Sequence, residues 1–551
     1  MRSLNFITLS ITIVTMSAFL ALAQPGGGFA DRFKQLDLNG DGKLTREEAG
    51  NARWFDELDR NHDGVLTLEE VTSYQHSAPP EQKPGPAMAR DGDVQVYRKE
   101  GGGPVPLSDS KAFTDLRFTR DWIPGTPDAN GRLMSGTECH YLVAHGGRLY
   151  AAICVWNNDA QRGPNPGPSV LVKESANAPW EVDAYFGPRN VLVACLASLT
   201  LTTDGSGKAL DQPVNLLMAG VSGLENPGEI TVFVRDDAKG EWVKSVVAAG
   251  PRGRSPEVRH LFTHRDRITG VHRVFAAASS GSVFSGVFDA AAPGRIRWNA
   301  EPELSGRAAR IMSCGEANGD AYLAVDITPD QPKNGGLFRR VDGPQPRWEW
   351  LGEWGHRNQH IGVAWLRALT AIPDTNHPGK ELLLCSREVD GVIEVINPQR
   401  NHEPHIEFDL RRHFGGVIEA PEGRHLTTIF AYNAMTPAVH PDTGERVHLI
   451  GGGLMLFPKR TADDPRDKSA WFLVRHADGR YGTGRVFDSN VTPAAAGGLR
   501  AVRTICASPF PEDKGRIFYF GGFDAAQGPH RDTAWIYKGT LQAISNTGTT
   551  P

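Results

Sequence analysis

Short apolar runs separated by turn-forming residues dominate the chain from residue 111 to residue 541. Examples are Leu382-Leu383-Leu384, Val392-Ile393-Glu394-Val395-Ile396 and Ile517-Phe518-Tyr519-Phe520, each of strand length and bounded by residues that favour turns. No long stretch keeps the spacing of apolar residues that an α-helix needs. The pattern therefore predicts that this region is nearly all β.

The strand pattern also repeats, roughly every 45 to 60 residues, which is the spacing of propeller blades with insertions. Each repeat starts with a strand, turns through a polar hairpin and returns as an apolar strand. The clearest starts are Val258-Arg259-His260-Leu261, Ala309-Arg310-Ile311-Met312, Leu366-Arg367-Ala368-Leu369, Tyr432-Asn433-Ala434-Met435 and Val502-Arg503-Thr504-Ile505. Residues 139–186 and 191–247 follow the same plan more loosely, so the pattern predicts seven repeats, with six or eight as the alternatives.

In architecture, this succession of repeats resembles a β-propeller. The resemblance implies a mainly β protein with a seven-bladed propeller over residues 111–541, whose closing blade takes late strands from residues 525–541. The sequence signatures of WD40, sialidase and quinoprotein propellers are absent, so no propeller family is identified. A β-sandwich or β-helix array is the alternative, since it also stacks short strands but needs no closing blade.

A helical pattern precedes the β region. Phe29, Phe33 and Leu36 recur at i, i+4 and i+7, and a second apolar cluster, Trp54-Phe55 with Leu58, follows. Such spacing is typical of short amphipathic helices that share a small core. We therefore expect a small α-helical domain over residues 24–76.

Two loops in this segment match the pattern D-x-[DN]-x-[DN]-G-x5-E. A calcium ion takes six to eight oxygen ligands, and this spacing supplies them from loop positions 1, 3, 5, 7 and 12. The predicted ligands are Asp37, Asn39, Asp41, the Lys43 carbonyl and Glu48 in the first loop, and Asp59, Asn61, Asp63, the Val65 carbonyl and Glu70 in the second. Leu44 and Leu66 are expected to pair as a short β-bridge between the loops.

The two loops resemble the EF-hand superfamily, which implies binding of Ca²⁺. They lie closer together than in a conventional sensor pair, and this compactness is shared with dockerin modules. The terminal glutamates Glu48 and Glu70 and the aromatic first helix are more similar to compact bacterial EF-hand pairs. A structural or docking role is therefore expected rather than a sensor role.

The first 23 residues combine Arg2, an apolar run and an Ala21-Leu22-Ala23 cleavage pattern. This is typical of a secretory signal peptide, and polar residues within the run disfavour the alternative of a membrane anchor. Residues 77–110 are rich in proline and glycine and are predicted to form a flexible linker. Residues 542–551 are expected to be a disordered tail. The mature protein is then expected to be secreted or periplasmic, with no membrane span.

The charge balance disfavours a nucleic acid as partner, because 59 basic residues face 64 acidic ones. Six cysteines are compatible with disulfides in an oxidising compartment. Cys139 and Cys154 are equidistant from Gly146-Gly147, so a tight hairpin there would set them opposite each other; two buried free thiols are the alternative.

An arginine recurs near the start of four repeats, as Arg259, Arg310, Arg367 and Arg503, and Asn433 holds the same place in a fifth. In a propeller these positions converge on the central channel, where guanidinium groups could bind a carboxylate, sulfate or phosphate. Alternatively, each arginine could bridge to an acidic side chain of the next blade and hold the blades in register.

We therefore expect a secreted calcium-binding protein in which an EF-hand pair is tethered to a propeller that binds or scaffolds. An anionic polysaccharide or a protein is the expected partner. The alternative is a polysaccharide lyase or hydrolase acting on an anionic glycan, with His260 or Tyr432 as the base.

Overall fold

The computed structural model describes residues 37, 39–46, 48, 61, 63–67, 107–108, 110–155, 166–223, 228–250, 257–305, 310–325, 336–352, 365–388, 391–399, 404–410, 413, 425–457, 470–488, 498–524 and 532–542. The chain divides into two compact units, Met1–Val96 and Tyr97–Pro551. Within the described residues, no helix is long and apolar enough to cross a membrane.

The first unit contains a two-stranded antiparallel sheet of β1 (Lys43–Thr45) and β2 (Val65–Thr67). Leu44 pairs with Leu66, as the sequence predicts, and both side chains are buried. The predicted helices around the loops, and also Asp59 and Glu70, lie outside the described residues, as do the predicted signal peptide and most of the linker.

The second unit is built mainly from five separate four-stranded antiparallel sheets, which are the blades of a β-propeller. Blade 1 contains β6 (Glu138–His145), β7 (Arg148–Cys154), β8 (Ser169–Lys173) and β9 (Trp180–Tyr185). Blade 2 contains β10 (Asn190–Thr203), β11 (Ala209–Gly223), β12 (Glu229–Asp236) and β13 (Glu241–Ala249). Blade 3 contains β14 (Val258–Arg265), β15 (His272–Ala278), β16 (Val283–Phe288) and β17 (Ile296–Trp298).

Blade 4 contains β18 (Ile311–Ala317), β19 (Asp320–Val325), β20 (Gly336–Val341) and β21 (Arg347–Gly352). Blade 5 contains β22 (Trp365–Pro373), β23 (Glu381–Glu388), β24 (Val392–Ile396) and β25 (Pro404–Asp409). A small hairpin of β4 (Thr126–Pro127) and β5 (Leu133–Met134) precedes blade 1. The helical segments with defined bounds in the described part of the chain are the 3₁₀ turns Pro293–Arg295 and Pro511–Asp513.

The remaining strands form one nine-stranded sheet. Its strands are β3 (Arg117–Trp122), β26 (His425–Phe430), β27 (Thr436–Val439), β28 (Arg446–Phe457), β29 (Ala470–His476), β30 (Tyr481–Val486), β31 (Ala501–Ala507), β32 (Ile517–Phe523) and β33 (Ala534–Thr540). Within it, β28 and β31 are joined by the single residue pair Gly453 and Ala501.

The prediction of seven blades is therefore corrected to five separate blades. The strands expected to form the last two repeats share one sheet, because the small residues Gly453 and Ala501 let β28 and β31 approach closely enough to pair. A side chain at Gly453 would come within 2.9 Å of the Ala501 Cβ. Phe118 further joins the two halves of this sheet, since its ring packs edge-on against both Phe472 and Phe520.

The nine-stranded sheet also joins the beginning of the domain to its end. β3 is an outer strand of this sheet and pairs antiparallel with β33, from Arg117 opposite Thr540 to Trp122 opposite Ile536. The closing strands thus come from both ends of the domain, including the segment 525–541 from which late strands were expected.

The first strands of successive blades surround the centre of the propeller. β6 packs beside β10 and β31, β10 beside β14, β14 beside β18, and β18 beside β22. Apolar faces of neighbouring blades stack between them, as where Phe275 and Ile311 share a buried cluster with Leu323 and Phe338. The core is therefore distributed around the ring between blades.

Two ion pairs join neighbouring sheets at their outer strands. Arg235 on β12 donates to Asp183 on β9 at 2.8 Å, and Arg475 on β29 donates to Glu407 on β25 at 2.6 Å. These groups are largely buried, so each pair holds two neighbouring sheets in one register. Contacts that hold neighbouring sheets in register are thus present away from the central channel.

All six cysteines in the described residues are free. The expected alignment of Cys139 with Cys154 fails because a β-bulge at His140 shifts the register by one residue: Cys154 pairs with Glu138, and Cys139 pairs with Ile153. Adjacent strand positions point to opposite faces, so the two sulfurs are directed apart.

Candidate functional site

A β-bulge interrupts the inner strand at a similar depth in each of the five blades, and again in β31. The residues left unpaired at these bulges are His140, Ala194, Arg259, Met312, the pair Ala368-Leu369, and Arg503. Bulges re-aim side chains and are common beside active sites. The bulges therefore mark one level of the central channel as the candidate site.

The predicted arginines lie at this level, at related rather than identical positions. Arg259 and Arg503 are bulge residues, whereas Arg367 immediately precedes the bulge of β22 and Arg310 immediately precedes β18. Asn433 lies in the turn between β26 and β27. We refer to these five residues and Tyr432 as the arginine cluster.

Tyr432 joins two of the arginines. Its ring lies 4.0 Å from the guanidinium carbon of Arg503 and 5.7 Å from that of Arg367. Arg367 also donates a hydrogen bond from Nη1 to the Tyr432 carbonyl at 3.1 Å. Two positive groups therefore share one aromatic ring, which stabilises them by cation–π attraction.

The backbone on either side of this contact is strained. Ala368 and Ala431 have φ values of 54°, in the left-handed region that residues other than glycine rarely adopt. Such conformations cost about 1–3 kcal/mol each and are concentrated at functional sites. The strained residues directly adjoin Arg367 and Tyr432, the residues that meet in the cluster.

Glu138 provides a negative charge beside the cluster. Arg503 donates to its two carboxylate oxygens at 3.1 and 2.9 Å, and His140 Nε2 lies 2.6 Å from Oε2. Burial alone would raise the pKa of Glu138, but Arg503 and His140 lower the pKa to about 2. Asn433 Nδ2 donates to the His140 carbonyl at 2.6 Å and so attaches this group to the cluster.

Glu257 is the second carboxylate of the site. It accepts a hydrogen bond from Arg259 Nη1 at 3.0 Å. Burial opposes ionisation, yet the charges of Arg259 and Arg310 together lower the pKa of Glu257. Both carboxylates are therefore ionised at neutral pH.

The two histidines of the site are held neutral. Burial lowers the pKa of His260 to about 3, with the positive charges of Arg259 and Arg367 acting in the same direction. Burial also lowers the pKa of His140, against the opposing effect of Glu138. Four guanidinium groups thus face two carboxylates, and the site carries an excess of positive charge.

This arrangement suits anion binding better than proton transfer. Guanidinium groups present paired N–H donors that match a carboxylate, sulfate or phosphate. A glycosidase needs a carboxylic acid that is protonated near neutral pH, whereas the pKa of both Glu138 and Glu257 is lowered. Burial also raises the pKa of Tyr141, so its hydroxyl stays protonated.

Sequence reasoning found the arginines but missed Glu138, His140 and Glu257. A signal for the first two was present, because Glu138-Cys139-His140 stands at the start of the loosely fitting first repeat, where five of the other repeats carry Arg or Asn. A signal for Glu257 was its position two residues before the predicted Arg259.

The first EF-hand loop is described in enough detail to test whether its residues fit calcium. Asp37 accepts hydrogen bonds from the backbone N–H groups of Gly40 and Gly42 at 2.8 Å, and Glu48 Oε2 accepts one from Thr45 N–H at 2.9 Å. Gly42 has a φ of 78°, which provides the sharp turn of the loop.

The donor set fits a calcium ion, because it consists of oxygens from the side chains of Asp37, Asn39, Asp41 and Glu48. In the described residues, however, no group of three or more His, Cys, Asp or Glu side chains is arranged to hold a metal. The carboxylates of the loop accept backbone hydrogen bonds instead.

Comparison with known proteins separates the two parts of the chain. Residues 29–48 and 51–72 match the family model described as EF hand. Among curated protein sequences, none matches this chain.

Solved structures with a similar arrangement have little sequence in common with this chain. A chain of a mitotic checkpoint complex is 14% identical, with a TM-score of 0.37, and the match covers 80% of this chain and 96% of that one. A Penicillium chrysogenum α-L-arabinanase is 9% identical, with a TM-score of 0.34 and coverages of 76% and 97%. A Fusarium graminearum α-L-arabinofuranosidase is 9% identical, with a TM-score of 0.32 and coverages of 76% and 97%. The chain thus carries two EF-hand segments and a β-propeller for which these comparisons identify no family.

Proposed function

We propose that this protein is a secreted or periplasmic calcium-binding protein whose propeller binds an anionic polysaccharide at the arginine cluster. The observation that carries the proposal is the excess of guanidinium groups over carboxylates at one level of the channel. Several arginines can bind successive acidic groups of a polymer, each by paired hydrogen bonds.

The outer ion pairs support a ligand-binding role for the cluster. Since pairs such as Arg235 with Asp183 already hold the blades in register, the inner arginines are not needed for that purpose alone. Arg503 does bridge to Glu138 on blade 1, and this contact positions its guanidinium group. Arg259 and Arg310 are partly exposed.

In the calcium module, Asp37, Asn39, Asp41, Glu48 and the Lys43 carbonyl would hold one ion, and Asp59, Asn61, Asp63, Glu70 and the Val65 carbonyl a second. The module has a structural or docking role, in which a protein could be its partner. Extracellular modules of this type bind calcium with dissociation constants of about 0.1–1 mM.

The test is co-sedimentation of the protein, from residue 24 to its end, with uronic and sulfated polysaccharides at low salt, with and without calcium. We expect retention that weakens as salt rises, because exposed charges are screened. Arg310→Met should reduce retention about tenfold with an unchanged melting temperature, at a cost of roughly 1.4 kcal/mol in binding.

Arg297→Met is the matched control, because it removes the same charge from an exposed position on β17. Equal loss in both variants would show that only net charge matters and would contradict a site in the channel. A loss of melting temperature in Arg310→Met without loss of retention would assign Arg310 to blade registration.

The enzymatic alternative is tested in the same samples. A lyase would produce an unsaturated sugar that absorbs ultraviolet light, with the neutral His260 as the group able to accept a proton. Absorbance that grows with time and disappears in His260→Gln would replace the binding proposal with a lyase.

A further inference from the structure

A serine, a histidine and an aspartate meet where blade 1 adjoins blade 2, away from the arginine cluster. His145 is the last residue of β6, Ser198 lies on β10, and Asp237 directly follows β12. His145 Nδ1 lies 2.8 Å from Ser198 Oγ, and Nε2 lies 2.9 Å from Asp237 Oδ2. These are the distances that join nucleophile, base and orienting acid in hydrolases.

The hydrogen-bond partners assign the histidine tautomer. Burial alone would raise the pKa of Asp237, but hydrogen bonds from His145 and Arg235 lower it, so Asp237 is an ionised acceptor. The His145 Nε2 atom must then carry the proton that Asp237 accepts. Nδ1 is left with a lone pair that accepts the Ser198 hydroxyl proton.

Arg235 fixes the position of the aspartate. Its Nη1 donates to Asp237 Oδ1 at 2.8 Å, while its other nitrogens bind Asp183. Arg235 also packs over the Tyr150 ring at 5.4 Å, and the same ring lies edge-on to His145. The buried Arg235 thus positions the exposed carboxylate of Asp237, and the Tyr150 ring packs against the buried base.

The junction of blades 3 and 4 contains the same network without the serine. His264 Nε2 lies 2.9 Å from Asp342, but its Nδ1 faces Glu316 at 3.3 Å. Arg340 donates to Asp342, as Arg235 does to Asp237. An imidazole between two carboxylates forms ion pairs with both and, among the described residues, has no nucleophile beside it. The hydroxyl of Ser198 puts a nucleophile in place of one carboxylate.

The serine is accessible and the base is protected. Ser198 is exposed, whereas His145 is buried with an exposed fraction of 5%. A substrate can therefore reach Oγ while the imidazole stays fixed. This combination is what a nucleophilic serine needs.

We propose that Ser198, His145 and Asp237 form a nucleophilic site that hydrolyses carboxylic esters. Ser198 Oγ attacks the ester carbonyl carbon while its proton passes to His145 Nδ1. The carbon–oxygen bond to the alcohol then breaks, and the alcohol leaves with that proton. Water attacks the acyl-serine by the same route and releases the acid, which restores the serine.

The test uses the protein from residue 24 with a fluorophosphonate probe and with p-nitrophenyl acetate. Mass spectrometry should locate the phosphonate on Ser198. Ser198→Ala should abolish labelling at this position and lower ester hydrolysis to the background rate. Thr200→Val is the matched control, because Thr200 is an exposed hydroxyl two residues along the same strand that bonds Asn215 rather than a histidine.

His145→Gln separates an activated serine from one that is merely accessible. The variant should lose labelling of Ser198 by about 100-fold, the usual contribution of a general base, with Ser198 still present. Melting temperatures of all variants establish that they are folded. Labelling of Ser198 at equal rates in the wild type and in folded His145→Gln would overturn the proposal, as would absence of label from the folded wild type.

Discussion

Arg503 lies over the ring of Tyr432 at 4.0 Å while donating to both carboxylate oxygens of Glu138. One guanidinium group therefore connects β31, the turn after β26 and the first strand of blade 1. The stability of the cluster should therefore depend on the Tyr432 ring, on the charge of Glu138 and on pH.

Replacing Tyr432 tests the aromatic contact. Tyr432→Leu should lower the free energy of unfolding by about 2–4 kcal/mol, because a buried ring and its cation–π contacts with Arg503 and Arg367 are lost. Tyr432→Phe keeps the ring and should lie within about 1 kcal/mol of the wild type. Urea unfolding of the two variants measures the difference, and equal stability would contradict a role for the ring.

Acid stability should depend on Glu138. Its pKa is lowered in the folded protein from 4.5 to about 2, so its stabilisation is present above pH 4.5 and is lost as the pH falls toward 2. The shift corresponds to about 3 kcal/mol. Glu138→Gln should flatten the dependence of melting temperature on pH between about pH 4.5 and 2, and an unchanged slope would contradict the assignment.

The stabilisation by His264 should have the opposite pH dependence to that of Glu138: it should be lost as the pH rises. Burial lowers its pKa, but hydrogen bonds to Glu316 and Asp342 outweigh burial and raise it above 6.5. A raised pKa gives stability that is fully present below the unfolded value and is lost as the pH rises through the folded value. The contribution of His264 to the melting temperature should therefore fall as the pH rises above about 6.5, and this fall should be absent in His264→Gln.

Calcium binding should follow the twelfth position of each loop. Glu48→Gln and Glu70→Gln each replace a carboxylate by an amide, which is a poor bidentate ligand, so each variant should lose one of two binding events in calorimetric titration at millimolar calcium. Lys43→Ala keeps the carbonyl at position 7 and serves as the control. Two full binding events in Glu48→Gln would exclude the first loop as a site.

The thiols should resist both oxidation and alkylation in the folded protein. All six are free, and burial raises the pKa of Cys314 and of Cys506 to about 12. Reducing agents should leave the melting temperature unchanged, and iodoacetamide should modify cysteine only after unfolding. Stabilisation that disappears on reduction would reveal a disulfide.

Repeat spacing and apolar patterning predicted the β-propeller and the arginines near its channel. They could not predict the number of separate sheets, because the pairing of Gly453 with Ala501 joins strands distant in sequence and gives no local signal. The bulge at His140 likewise cannot be predicted from the position of the hairpin glycines Gly146 and Gly147. Because of this one inserted residue, Cys139 does not pair with Cys154.

Side-chain networks were the least predictable part. Glu138 and Arg503 lie at opposite ends of the domain sequence, and they meet only because blade 1 adjoins the final strands. The repeated arginine indicated that several guanidinium groups converge on the channel. The net charge of the site, however, depends on how many carboxylates lie beside the arginines. The match of residues 29–48 and 51–72 to the EF-hand model was predictable, since the EF-hand motif is a short local pattern.

The pairing of β3 with β33 has a consequence for how the protein is made. β3 is synthesised early, yet its partner β33 is the last strand of the domain. More than 400 residues must be synthesised between them before the backbone groups of β3 can pair with β33. A strand that stays unpaired during synthesis can form hydrogen bonds with a wrong strand or with another chain. Its sequence, Arg117-Phe118-Thr119-Arg120-Asp121-Trp122, carries three charged residues, and charge on such a strand discourages association with other chains until the ring can close.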